Sequence, residues 1–136
     1  MHDFFMQKAI NLAHEAGGVG EVPIGAIIVS SGEIIGKGFN QTITKKDPTA
    51  HAEVVAIKDA CRNINNQYLP KDSALYVTLA PCIMCYGAIL HARVRHVCYG
   101  AYSDKHIQNN LNVTSGIKLQ ECENILKNYF KLKRLK

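Results

Sequence analysis

The chain opens on apolar positions Phe5, Ala9, Leu12, Ala13 and Ala16, which recur at helical spacing between a capping Asp3 and a stopping pair, Gly17 and Gly18. The period then changes. Two β-branched runs, IGAIIVS (24–30) and EIIGKGF (33–39), are separated by Ser31 and Gly32 and predict a hairpin. A polar loop over 40–49 ends in Pro48 and Thr49, placed to start a second helix that runs to about residue 63. SALYVTL (73–79) predicts a third strand ended by Pro81, CIMCYGAILHA (82–92) a third helix, and HVCYGA (96–101) a fourth strand. A polar loop over 102–112, a weak short strand at 117–119 and a last helix over 121–133 follow. This order predicts an α/β protein: a three-layer α/β/α sandwich around a mixed five-stranded sheet. Its strand-helix-strand stretches predict right-handed crossovers and parallel neighbouring strands.

Composition narrows the class. A length of 136 residues fits one domain, 1–136, able to bury a core without disulfides. The hydrophobic fraction of 47% against 20% charged residues is that of a folded soluble protein, and no linker, repeat or low-complexity tract interrupts it. No apolar run approaches the roughly 20 residues of a membrane helix. The start Met1-His2-Asp3 lacks the layout of a signal peptide, so the expected location is the cytoplasm, with no membrane partner. Five cysteines, an odd number without a secretory signal, argue for metal binding or free thiols over a disulfide framework. The net charge of +5 is concentrated in residues 117–136, which carry six Lys/Arg against two Asp/Glu. A solvated helix face and a polyanion-binding face both fit such a tail.

The chemistry gathers in two short motifs. Cys82 and Cys85, three apart at the start of a helix, can share one face, where the positive helix end favours thiolates. That spacing alone fits a metal site or a thioredoxin-like redox pair equally well. His51 tips the balance, because it also heads a helix directly after a loop and can supply a third ligand. Two sulfurs and one imidazole suit zinc, one ion per chain. No second CxxC or paired HxxxH completes a closed structural site, and three protein ligands with an open fourth position are the catalytic arrangement. Glu53, two residues beyond His51, is placed to serve a water at that position as a proton shuttle rather than to bind metal. Each residue alone reads as a helix cap or a first-turn charge; HAE followed by PCIMC is the H-x-E and P-C-x-x-C signature of zinc nucleobase deaminases.

EVPIGAIIV (21–29), GFN (38–40), DPTAHAE (47–53), PCIMCYGAILHAR (81–93) and YFKLKR (129–134) resemble, in order and spacing, the motifs of the bacterial tRNA-specific adenosine deaminases of the cytidine deaminase superfamily. The resemblance implies a cytidine deaminase-like fold and a homodimeric enzyme that converts adenosine to inosine at the wobble position of a tRNA anticodon stem-loop. It implies His51, Cys82 and Cys85 as zinc ligands, Glu53 as the catalytic proton carrier, and Asn40, with Ala52 and Leu79, as substrate-binding positions. In the tail, Lys127, Lys131 and Arg134 form one helical stripe suited to RNA phosphate, opposite Cys122, Ile125, Leu126, Tyr129 and Phe130.

Two features depart from the family pattern: Ala80 stands where an acidic residue is common, and a polar SDKHIQNNLN (103–112) replaces a Gly/Ala-rich loop. Both bear on the pocket rim, and so on the substrate. Cys61, Cys98 and Cys122 read as core thiols, Met84 and Tyr86 as packing residues, and His91 and Arg93 as helix caps or RNA contacts. Three other readings stand beside the leading one. A free-base or nucleoside deaminase would use the same metal on cytosine, guanine or cytidine, but the basic tail and the Asp47-Pro48-Thr49 context count against it. A non-catalytic zinc-stabilised RNA-binding module has no use for Glu53, and a dithiol redox protein has none for His51.

Overall fold

A computed structural model describes residues 1–103 and 111–134. The elements in chain order are α1 (His2–Gly18), β1 (Gly25–Ser30), β2 (Glu33–Phe39), α2 (Ala52–Ile64), β3 (Ala74–Leu79), α3 (Ile83–His91), β4 (His96–Ala101), β5 (Asn112–Thr114) and α4 (Leu119–Arg134). The five strands form one sheet in the order β2-β1-β3-β4-β5. β1 pairs antiparallel with both β2 and β3, whereas β3, β4 and β5 are parallel neighbours. The sheet is therefore mixed, as the element order predicts.

Side-chain alternation along the strands separates two apolar layers. Ala26 and Ile28 of β1, Leu75 and Val77 of β3 and Val97 and Tyr99 of β4 face one way, against Ala52, Ala56, Ile57 and Ala60 of α2 and Ile89 of α3. Ile27 and Val29, Tyr76 and Cys98 face the other, against Phe5, Met6, Ala9 and Ile10 of α1 and Cys122 of α4. Helices thus cover both faces of the sheet. The alanine stripe of α2 lies directly on β2, where a Cβ at Gly36 or Gly38 would come within 2.7 Å of the helix backbone. The β1–β2 hairpin turns on Ser31 and Gly32, both at positive φ (52° and 76°), the combination that a two-residue turn between twisted strands requires. Asp72 secures that turn by accepting from the Ser30 hydroxyl at 2.7 Å and from the Ser31 amide at 2.7 Å.

Several predicted details move. Asp3 does not cap α1: Met1 occupies the cap position, and Asp3 sits inside the first turn, where its charge complements the helix dipole. α2 starts at Ala52 rather than at Pro48–Thr49, which instead belong to a turn fastened by Asp47, whose carboxylate accepts from the Thr49 amide and hydroxyl. The parallel-neighbour expectation holds for β3-α3-β4. It fails for β2-α2-β3, where β1 lies between the two strands, because the tight hairpin has already taken the place beside β2. The fifth strand is at Asn112–Thr114 and not at 117–119: pairing with His96, Val97 and Cys98 defines it, and sequence periodicity does not see that partner. Of the loop read over 102–112, residues 104–110 lie outside the described residues. Phe130 is 49% exposed rather than packed, since α4 touches the sheet through its first turns, with Cys122 buried and Ile125 and Leu126 half-buried. Among the described residues no helix is long and apolar enough to cross a membrane.

Candidate active site

Because β2 and β3 both run antiparallel to β1, they end at the same edge of the sheet, and the helices that follow them begin there. His51 is the N-cap of α2 and Cys82 the N-cap of α3, both in extended backbone, and Cys85 sits one turn into α3. Two chain reversals thereby bring His51, Cys82 and Cys85 together, with their donor atoms all within 4.8 Å of one another. Nδ1 of His51 lies 3.7 Å from Sγ of Cys82 and 3.4 Å from Sγ of Cys85.

Zinc fits this donor set. A tetrahedral ion bonded at about 2.3 Å to sulfur and about 2.0–2.1 Å to nitrogen holds nitrogen and sulfur about 3.6 Å apart, close to both observed separations. Burial keeps His51 below its usual range, which favours the neutral imidazole that a metal needs. Cys85 is fully buried: burial pushes its thiol up, and negative charge at Glu53 and Cys82 adds to the effect. A cation between the sulfurs is the natural means of reversing that balance.

A cavity of about 250 Å³ opens on the cluster, lined by Ile24, Asn40, His51, Glu53, Leu79, Ala80, Cys82 and Ser103. Glu53 is only 4% exposed, and burial pushes its carboxyl up to about 7, against the opposing hydrogen bonds from its own amide and from Cys85. A carboxyl poised near neutrality exchanges protons in either direction. Asn40, 8% exposed, accepts from the Ala52 amide through Oδ1 at 2.9 Å, and its own amide donates to the Ile24 carbonyl at 3.1 Å. Its side-chain oxygen thus caps α2, and Nδ2 is the group left for a ligand.

Of the predicted substrate positions, Asn40 and Leu79 line the cavity, while Ala52 is fully buried behind it and contributes its backbone amide to Asn40. Lys127, Lys131 and Arg134 are exposed along α4, which packs on β4 and α1, and none of them lines the cavity. Ile24 and Ser103 join the wall without having been singled out; Ile24 stands where EVPIG enters β1, a motif noted for its order and not for its reach. Ala80 is on the rim, as its place before Pro81 suggests. The thiols of Cys98 and Cys122 are buried and that of Cys61 is half-buried. The Arg93 guanidinium lies 3.8 Å from the centre of the Tyr68 ring.

The cytidine and deoxycytidylate deaminase zinc-binding region matches residues 1–101. A tRNA-specific adenosine deaminase of Haemophilus influenzae is 40% identical over 144 residues, covering 95% of this chain and 83% of its own. A chain solved in a study of A-to-I editing by tRNA:A34 deaminases at the wobble position of transfer RNA is 38% identical, with a TM-score of 0.85 over 90% of this chain and 99% of that one. A guanine deaminase from Bacillus subtilis is 45% identical, with a TM-score of 0.70 over 75% of this chain and 65% of its own.

Proposed function

Since the chain belongs to the cytidine and deoxycytidylate deaminase family, and within it to the tRNA-specific adenosine deaminases, we propose that it hydrolyses adenosine to inosine in tRNA, and that the adenosine converted is the one at the wobble position of an anticodon. The observation that carries this reading is the His51, Cys82 and Cys85 triangle opening into a cavity walled by Glu53 and Asn40. One zinc ion per chain would be held by those three residues, and when bound it supplies a Lewis acid that activates water at neutral pH.

The chain's own groups do the rest. The base, flipped out of the anticodon loop, enters between the apolar side chains of Ile24 and Leu79. Nδ2 of Asn40 donates to a purine ring nitrogen and fixes the amino-bearing carbon over the cluster. Glu53 accepts the proton of the water that adds at that carbon and passes it to the adjacent ring nitrogen, N1. It then carries a second proton to the amino nitrogen, which leaves as ammonia while the carbon–oxygen double bond of inosine forms. Burial of the carboxylate keeps these transfers inside the cavity and away from bulk solvent.

The exposed stripe Lys127, Lys131 and Arg134 would hold the phosphate backbone, a homodimer would present two such sites, and the cytoplasm, where tRNA is found, would be the place of action. A second reading, deamination of free guanine, is raised by the likeness to the B. subtilis guanine deaminase. The tRNA reading is preferred because its relatives are matched over most of both chains. The test is to incubate the zinc-loaded protein with an anticodon stem-loop bearing a wobble adenosine, in parallel with free guanine, cytosine and cytidine. Inosine in the stem-loop alone supports the proposal; ammonia from a free base alone overturns the substrate and keeps the chemistry.

A further inference from the structure

Glu21 is the one acidic residue of the described chain with 0% exposure, and the mechanism above does not use it. Among the described residues, all three hydrogen bonds of its carboxylate go to one segment. Its carboxylate accepts from the Ile43 amide at 3.2 Å, from the Thr44 amide at 2.6 Å and from the Thr44 hydroxyl. That segment is the loop whose two ends supply the site, with Asn40 at its start and His51 at its end. The loop is closed at its base by the Gln41 amide donating to the Ala50 carbonyl at 2.9 Å, and just outside it Ile24 accepts from Asn40 while Asn40 accepts from Ala52. Burying a carboxylate is costly unless it is fully hydrogen-bonded. Among the described residues, the groups that meet that cost are two amides and a hydroxyl of an irregular, largely exposed loop.

We propose that Glu21 is a positioning residue, which acts through the 40–51 loop to hold the Asn40 amide in the orientation that grips the base. The reading rests on the proposed role of Asn40 and adds to it a residue 19 positions earlier in the chain. Glu21 touches neither the cavity nor the metal ligands. His51 is built into α2 as its cap residue, whereas Asn40 lies outside the helix and is held by single hydrogen bonds to the Ile24 carbonyl and the Ala52 amide and by the loop that follows it. Loss of Glu21 should therefore disturb base binding more than metal binding.

The test compares wild type, Glu21→Gln, Glu21→Asp, Asn40→Ala and the Glu21→Gln/Asn40→Ala double variant, with three readouts: zinc content, amide hydrogen exchange, and kinetics on the wobble-adenosine stem-loop. Glu21→Gln replaces one acceptor oxygen by an NH₂, which must face either the Ile43 amide or the Thr44 amide, both of them donors. It is expected to speed exchange at least about tenfold across 41–52 while leaving β3 and β4 unchanged, to keep zinc near one equivalent, and to raise KM about tenfold with a smaller change in kcat. Glu21→Asp should recover part of both effects. In the Asn40→Ala background the further loss from Glu21→Gln should shrink to less than about twofold, the non-additivity of two residues acting as one unit.

Unchanged exchange over 41–52, or the same kinetic loss in both backgrounds, would overturn the proposal. If Glu21→Gln does not fold, Thr44→Val removes one hydrogen bond from the loop side and should give the same pattern at smaller amplitude; no change in loop exchange there would also overturn it. Failure of the wild type to act on the stem-loop would count against the substrate assignment, and the exchange data would still judge Glu21.

Discussion

At the scale of single residues, two neighbours of one helix start are suited to different work because their surroundings differ. His51 is half-buried, its ring turned to two sulfurs, while Glu53 is enclosed and its carboxyl pushed up to about 7 by burial. Their separation in function should be visible in variants. Glu53→Gln keeps shape and burial, so zinc measured by metal analysis should remain near one equivalent while inosine formation falls at least about a hundredfold. Cys85→Ala removes a donor from a three-ligand set, and the same analysis should find most of the zinc lost along with activity.

At the scale of elements, the site depends on how closely α2 approaches the sheet. Gly38 lies two residues before Asn40, and a Cβ there would come within 2.5 Å of the Ala56 amide nitrogen and 2.6 Å of the Ala52 carbonyl oxygen. Gly38→Ala must push the helix off the strand. A loss of about 2 kcal/mol or more in denaturant unfolding is expected, together with weakened zinc binding, because His51 caps the displaced helix. α4 makes a separate prediction. In the proposed RNA contact its exposed cations would act only through charge, so replacing Lys127, Lys131 and Arg134 with Ala should weaken stem-loop binding without changing discrimination among bases in the loop. The slope of log affinity against log salt should drop by about 2 to 3, read by titration at several salt concentrations.

At the scale of the whole molecule, two layers of helices on a mixed sheet leave one end where strands finish and helix starts converge, and the loop over 40–51 joins Asn40 to His51 there. The carboxylate that fastens the loop links this architecture to pH. Burial at Glu21 opposes ionisation, yet the Thr44 hydroxyl and the Thr44 and Ile43 amides outweigh it and hold the carboxyl below its ordinary value of 4.5. A folded-state value below the unfolded one contributes stability that is complete above the unfolded value and is lost as pH falls through the folded one. Melting temperatures taken downward from pH 6 should thus fall more steeply in wild type than in Glu21→Gln below about pH 4.5. Near pH 7 the variant should be the less stable of the two.

What was legible in the sequence alone was whatever local patterns and side-chain chemistry determine. Period-2 and helical spacing marked every element except β5, Ser31 and Gly32 marked the hairpin, and HAE with PCIMC marked the donor set and the carboxyl in the cavity beside it. These survive because each depends on a few consecutive residues whose preferences agree. Tertiary structure decided what depends on a distant partner. α2 begins at Ala52 and not at Pro48 because Asn40 caps it from across the loop. β5 exists where β4 offers it hydrogen bonds, and β1 rather than β2 sits beside β3. The Cys85 thiol is pushed up by burial, which the CxxC spacing does not reveal. Glu21 reads in the sequence as one more acidic residue before a strand; only the fold brings it against a loop 22 and 23 residues away, since long-range hydrogen bonds leave no mark on local periodicity.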